Sequence, residues 1–307
     1  MKTFLSYFKN YFTEDFNLKS HILIAIFIGI CIFLNYHFDI YSTHFRVSNY
    51  SEIGILKLWG MYAFAFIVPI LIIALFQKEK TVLNSKFLIF GLLGLLLVAT
   101  DCSFYALKYL KQLIPIELDS YRFFYASLSN LASLFTIVLP LFFIYIVTKY
   151  FKPELYGLKL NGAPITPYFI LILLMIPIIV MASSQSDFLN YYPSYDLQRF
   201  SGGEIPETIK IGTFELCYGF DFFSVELMFR GFMVIALSRF AGKDAILPMV
   251  VCYAFLHFGK PLGETIGSVF GGYILGIIAY KSRNIYGGLI VHLGVAWGME
   301  ITAYFAM

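Results

Sequence analysis

The sequence predicts an all-α protein that crosses a membrane many times. Of its 307 residues, 59% are hydrophobic and only 13% are charged, whereas a soluble domain has about 25% charged residues. The mean hydropathy is +0.77. A membrane span needs about 20 mostly apolar residues, and windows of that length recur along the whole chain. We therefore expect a polytopic membrane protein with eight or nine transmembrane helices.

The candidate spans follow an N-terminal segment, residues 1–20, in which Phe and Tyr alternate with lysines, as is typical of an interfacial helix. The nine apolar windows are residues 21–38, 55–77, 87–107, 125–148, 165–183, 209–238, 245–259, 264–280 and 284–306. The seventh and eighth windows are short and share the hinge at residues 259–263, so eight spans remain an alternative. We divide the chain into residues 1–20, 21–208 and 209–307.

The distribution of basic residues predicts the orientation. Lysine and arginine are more frequent in the segments that lie in the cytoplasm if the N-terminus is inside, as the positive-inside rule requires. The net charge of +3 is small and dispersed, which argues against a nucleic-acid partner. We expect an integral, multi-pass protein of the bacterial cytoplasmic membrane, with membrane lipid and a membrane peptide or protein as partners.

Charged and imidazole side chains are concentrated in the last third of the chain. Glu226 and Arg230 are four residues apart in an apolar helix, so they share a face and can pair. At 1.5 Å per residue, Glu226 and His257 lie about 18 Å from the cytoplasmic ends of their helices, and His292 lies about 12 Å from its own. Ionisable residues at such depth indicate a functional site. The alternative is that Glu226 and Arg230 form a structural ion pair that locks two helices together.

An acid and two imidazoles at similar depth are compatible with two kinds of chemistry. One is a metal ion held by imidazoles and a carboxylate, which for His257 and His292 would be zinc. The other is a water molecule activated by a carboxylate. The sequence leaves both open, and it identifies no cofactor with certainty.

These residues resemble the motifs of the CPBP group, the CAAX-protease and bacteriocin-processing intramembrane proteases. That group carries Glu-Glu-x-x-x-Arg, then Phe-x-x-x-His, then His-x-x-x-Asn or Asp on successive helices. The matching stretches here are Val225-Glu226-Leu227-Met228-Phe229-Arg230, Tyr253-Ala254-Phe255-Leu256-His257 and His292-Leu293-Gly294-Val295-Ala296. The resemblance implies a C-terminal four-helix core at residues 209–307 and an endopeptidase acting on membrane-associated peptides or proteins, with Glu226, Arg230, His257 and His292 in the site.

The motifs are degenerate at positions that carry chemistry in the family. Val225 stands where the resemblance implies the water-activating Glu, Ala296 stands where it implies Asn, and Tyr253 replaces the Phe. Asp221 lies one turn before Val225, and Glu300 lies one turn after Ala296, so either carboxylate is a candidate to rebuild the site. Whether the protein is an enzyme therefore stays open at this point.

Two classes of function follow. The first is an intramembrane endopeptidase with impaired or altered catalysis. The second is a non-catalytic pseudoprotease that binds a membrane partner as a scaffold, immunity or regulatory protein. A small transporter is a weaker third hypothesis, because the sequence shows neither an inverted repeat nor paired broken helices.

Overall fold

A computed structural model describes residues 2–46, 51–104, 121–152, 154–159, 165–195, 200 and 204–306. It is 84% helical, with no strand in these residues. Apolar residues fill whole helices here. A segment in lipid is expected to be helical because a helix satisfies its backbone hydrogen bonds internally. The prediction of an all-α, polytopic membrane protein is confirmed.

Thirteen α-helices succeed one another along this part of the chain. They are α1 (Lys2–Asn10), α2 (Leu18–Phe38), α3 (Glu52–Phe76), α4 (Ser85–Cys102), α5 (Tyr121–Ser133), α6 (Leu139–Val147), α7 (Thr166–Ala182), α8 (Ser186–Leu189), α9 (Glu207–Glu226), α10 (Ser238–Ala241), α11 (Ile246–Leu256), α12 (Leu262–Ser282) and α13 (Tyr286–Ala306). Of four π-helical segments in the described residues, Leu134–Val138 continues α5 into α6 and Leu227–Ala236 extends α9.

Each of the nine predicted windows corresponds to a helix or a continuous helical segment. Six of these are long and apolar enough to cross a membrane, namely α2, α3, α4, Arg122–Val147, α12 and α13. Helix α7 is apolar but shorter, and the α9 segment carries several charges. The third window, residues 87–107, extends beyond the end of α4, and its last three residues lie outside the described part.

The seventh window contains a helix that is too short to cross a bilayer by itself. Helix α11 has 11 residues, so it is about 16 Å long, against about 30 Å for the hydrocarbon layer. All of its residues except Leu256 are buried, and it packs against α12, α3 and the Leu227–Ala236 segment. Helix α11 is therefore the centre of the core, surrounded by protein.

The helices expected to form the C-terminal core are in contact with one another only in part. The α9 segment with its π-helical extension packs against α11, α12 and α13, and α11 packs against α12, whereas α13 packs mainly on α7. The main hydrophobic core also contains residues of α2, α3 and α4. The division into residues 1–20, 21–208 and 209–307 stays a prediction.

Polar contacts collect at the two ends of the helical bundle. At one end, Lys281 Nζ lies 2.7 Å from Asp15 Oδ2, and Arg283 pairs with Glu154 at 2.7 Å. At the other end, Asn35 Nδ2 donates to the Phe258 carbonyl at 3.0 Å. Segments that the charge bias assigns to the same side of the membrane thus touch one another.

Candidate functional site in the C-terminal core

The site is built on an unusual length of π-helix. Directly after Glu226, the ten residues Leu227–Ala236 are π-helical, and all ten are buried. The Leu237 amide donates to the carbonyl of Phe232, five residues earlier, at 3.0 Å. Such segments are rare in proteins and are frequent at functional sites. This one places Glu226 and Arg230 in the middle of the bundle.

Glu226 is held from two sides by the residues that the sequence analysis singled out. Its side chain is 0% exposed, and Arg230 is 1% exposed. Arg230 Nη1 lies 3.0 Å from Glu226 Oε1, although it is not aligned for a hydrogen bond. His292 Nδ1, from α13, lies 3.0 Å from the same oxygen. The predicted pairing of Glu226 with Arg230 and the predicted approach of His292 are both observed.

Tyr253 joins the two histidines. Its hydroxyl lies 3.2 Å from His292 Nε2, and its carbonyl oxygen lies 2.7 Å from His257 Nδ1. Since a carboxylate and a carbonyl only accept, Nδ1 of each histidine carries the proton, and each Nε2 is left as an acceptor. The Arg230 guanidinium also lies over the Tyr253 ring, 4.2 Å from its centroid, which is a cation–π contact.

Glu264, at the start of α12, is a carboxylate that the sequence analysis did not select. Its Oε1 lies 2.6 Å from Lys260 Nζ and 3.8 Å from His257 Nε2. Its Oε2 accepts a hydrogen bond from the Tyr192 hydroxyl at 2.8 Å. An acid in the first turn of a helix, four residues after a lysine, normally indicates a capping or surface role. No signal in the sequence therefore pointed to its contact with His257.

The two replaced motif positions hold apolar side chains that are half-buried or fully buried in the protein. Val225 is half-buried and packs against the main hydrophobic core. Ala296 is fully buried. Neither side chain can take a proton or bind a water molecule strongly, so the site lacks groups at the positions where the resemblance implies the base and the amide.

Asp221 and Glu300, the candidate replacements, are bonded elsewhere. Asp221 interacts with the Ser133 hydroxyl and lies near the carboxylate of Asp101. Glu300 Oε2 accepts from the Ser194 amide at 2.8 Å. A displacement of four residues along a helix rotates a side chain by about 40° and moves it about 6 Å along the axis, and both acids have other neighbours there.

Within the described residues, the side chains as they stand do not form a complete set of zinc ligands. Both ring nitrogens of His292 are engaged, by Glu226 and by Tyr253, and His257 offers only Nε2. Across the described ranges, no three His, Cys, Asp or Glu side chains are grouped as metal ligands, and a catalytic zinc needs three from the protein. Zinc at His292 Nε2 would require Tyr253 to give up its contact with that nitrogen, whereas Nδ1 could keep its hydrogen bond to Glu226.

A comparison with protein families agrees with the motifs. Residues 218–298 match the model of a family described as Rce1-like, type II CAAX prenyl endopeptidase Rce1-like. The matched family is thus of the same kind as the intramembrane proteases whose motifs the sequence resembles. The match covers roughly a quarter of the chain; it includes Glu226, Arg230, His257 and His292 and ends before Glu300. Neither the curated proteins nor the solved structures gave a match to the chain.

Proposed function

We propose that this CPBP-type chain has kept the peptide-binding role of a CAAX endopeptidase and has lost hydrolysis. It would bind a membrane-associated peptide or protein in its C-terminal core, as a scaffold, immunity or regulatory protein. One observation carries the proposal: the single carboxylate left in the first motif, Glu226, is fully buried against Arg230 and His292, while Val225 occupies the neighbouring position.

The energetics of the Glu226 ion pair argue against its use as a base. To activate water, the carboxylate would have to leave Arg230, which is fully buried and pairs with no other carboxylate in the described residues. Leaving one partner of a buried pair uncompensated costs about 3–5 kcal/mol. That cost would add to the barrier of every turnover. Glu226 is therefore better suited to holding the α9 segment than to proton transfer.

The test uses a farnesylated CAAX pentapeptide as the probe, because the matching family is described as a prenyl endopeptidase. The protein is reconstituted in lipid nanodiscs, binding is followed by fluorescence anisotropy, and cleavage is followed by mass spectrometry. We expect saturable binding without a cleavage product. Binding should weaken in a Tyr253→Ala variant and persist in Glu204→Gln, whose side chain is exposed. Cleavage by the wild-type protein, or absence of saturable binding, contradicts the proposal.

A second candidate function is hydrolysis by an altered site. The observation that favours it is the 3.8 Å approach of Glu264 to His257 Nε2, which supplies a carboxylate and an unprotonated imidazole together, as general-base catalysis requires. In the same assay, this alternative predicts cleavage that is lost in both Glu264→Gln and His257→Ala and retained in Glu204→Gln. Cleavage that survives both substitutions would exclude this pair as its source.

A further inference from the structure

A second polar site lies in a cavity beside the C-terminal end of α13. The cavity has a volume of about 460 Å³, within the range of small-molecule sites. Its walls are largely apolar, and two acids, Glu215 of α9 and Glu300 of α13, also line it. The apolar part includes Pro193, Ile211, Trp297, Ile301 and Phe305. Glu300 follows His292 by eight residues, about 12 Å along the helix, so this cavity is separate from the Glu226 site.

Each of the two acids has an oxygen atom without a partner. Glu300 is 6% exposed. Its Oε2 accepts from the Ser194 amide at 2.8 Å, and the Ser194 hydroxyl and the Tyr195 amide also lie near the carboxylate, but no hydrogen bond of normal geometry reaches its buried Oε1. Glu215 interacts with the Trp297 side chain, and its Oε2 is likewise buried and unbonded. A buried carboxylate oxygen without a donor is costly. The two acids also repel one another electrostatically, so a cation between them would relieve both penalties.

The neighbouring side chains supply no free cation to Glu215 and Glu300 in the described residues. Lys260 acts on Glu300 electrostatically, but its ammonium is already held by Glu264 at 2.6 Å. The Tyr195 hydroxyl, at the cavity wall, donates to Glu207. A group that is cationic, carries N–H donors for two oxygens and brings apolar surface to the walls would satisfy both acids.

We propose that this cavity binds an amphiphilic primary amine, with its ammonium between Glu215 and Glu300 and its hydrocarbon part against the apolar walls. A primary ammonium has three donors, enough for both unpaired oxygens. The hydrocarbon part gains from leaving water in proportion to the apolar area buried. This binding does not depend on the proposed function of the Glu226 site.

Octylammonium is the probe, titrated onto the full-length protein in a non-ionic detergent while the unfolding temperature is recorded. The wild type and Glu204→Gln should rise in unfolding temperature with a saturable dose dependence. Glu215→Gln and Glu300→Gln should each weaken the apparent affinity by about tenfold or more, because each removes one charge-assisted contact. Glutamine retains an oxygen that can accept from Ser194 or Trp297, so these variants preserve the existing contacts.

A second measurement needs no variant. Octanol lacks the charge, and octyltrimethylammonium has the charge but no N–H donor, so both should stabilise the wild type much less than octylammonium does. Stabilisation of equal size by either compound overturns the proposal, because the effect would then come from the hydrocarbon chain or from charge alone. An unchanged affinity in both glutamine variants overturns it as well.

Discussion

At the scale of single residues, the site is a set of polar groups that satisfy one another. Glu226 binds Arg230 and His292, and Tyr253 connects His292 to His257. Ionised side chains inside a membrane protein persist only when they are paired. The pairing gives Glu226 and Arg230 a structural role that does not depend on catalysis, since together with His292 they hold the α9 segment against α13.

Replacing Arg230 by methionine should be strongly destabilising. The change leaves Glu226 buried without its cation, which costs about 3–5 kcal/mol in the free energy of unfolding. The double variant Glu226→Gln/Arg230→Met removes both charges and should recover most of that loss. Denaturant titration in detergent micelles measures both, with the exposed Arg239→Met as the control. A single variant as stable as the control would show that the ion pair does not hold the core.

Tyr253→Phe restores the residue type of the family motif and removes only a hydroxyl group. We expect a loss of about 1–2 kcal/mol in unfolding free energy, because His292 Nε2 then loses its donor in a buried position. Tyr304→Phe, at an exposed site, should change stability little in the same titration. Equal stability of the two variants would mean that the Tyr253–His292 contact contributes nothing.

At the scale of helices, close packing of α13 on the α9 segment brings the charges together. Gly288 of α13 faces Glu226, and a methyl group built on it would lie 2.4 Å from Glu226 Oε2. The contact between these helices therefore needs a residue without a side chain at this position, as small residues commonly provide in membrane helices. The carboxylate occupies the space that any larger residue would fill.

Gly288→Ala should displace Glu226 or separate the two helices. We expect a loss of about 1–3 kcal/mol in unfolding free energy, the usual cost of overpacking a core. Gly271→Ala on α12 is the matched control, since nothing lies within 4 Å of its added methyl group, and it should be neutral or stabilising because alanine favours helix. Thermal unfolding of both variants measures the difference, and an equal response would contradict the close contact.

At the scale of the whole molecule, the helices alternate in direction, and their connecting segments meet in two groups. Asp15, Lys281, Glu154 and Arg283 lie at one end, and Asn35 and Phe258 lie at the other. The grouping agrees with the alternation that the charge bias requires. It does not say which end faces the cytoplasm, and the N-terminus-inside orientation stays a prediction.

Cysteine labelling tests that orientation. Lys80→Cys lies in the connection between α3 and α4, and Gln185→Cys lies after α7, and both positions are exposed. If the N-terminus is inside, a membrane-impermeant maleimide added to intact cells should label Gln185→Cys and should reach Lys80→Cys only after permeabilisation. The wild type, whose four cysteines are partly or fully buried, is the control. The reverse pattern would invert the topology.

The sequence by itself determined the membrane class, the helices and their order, and the region of the candidate site. Apolar length specifies a membrane helix, and spacing along one helix specifies a pair such as Glu226 and Arg230, because both are properties of consecutive residues. Only the tertiary structure decided which groups meet between helices. It brought Glu264 to His257 across a turn, made Tyr253 the link between two histidines, and directed Asp221 and Glu300 away from them. Those contacts depend on how helices cross and rotate as they pack, which no spacing within a single helix contains.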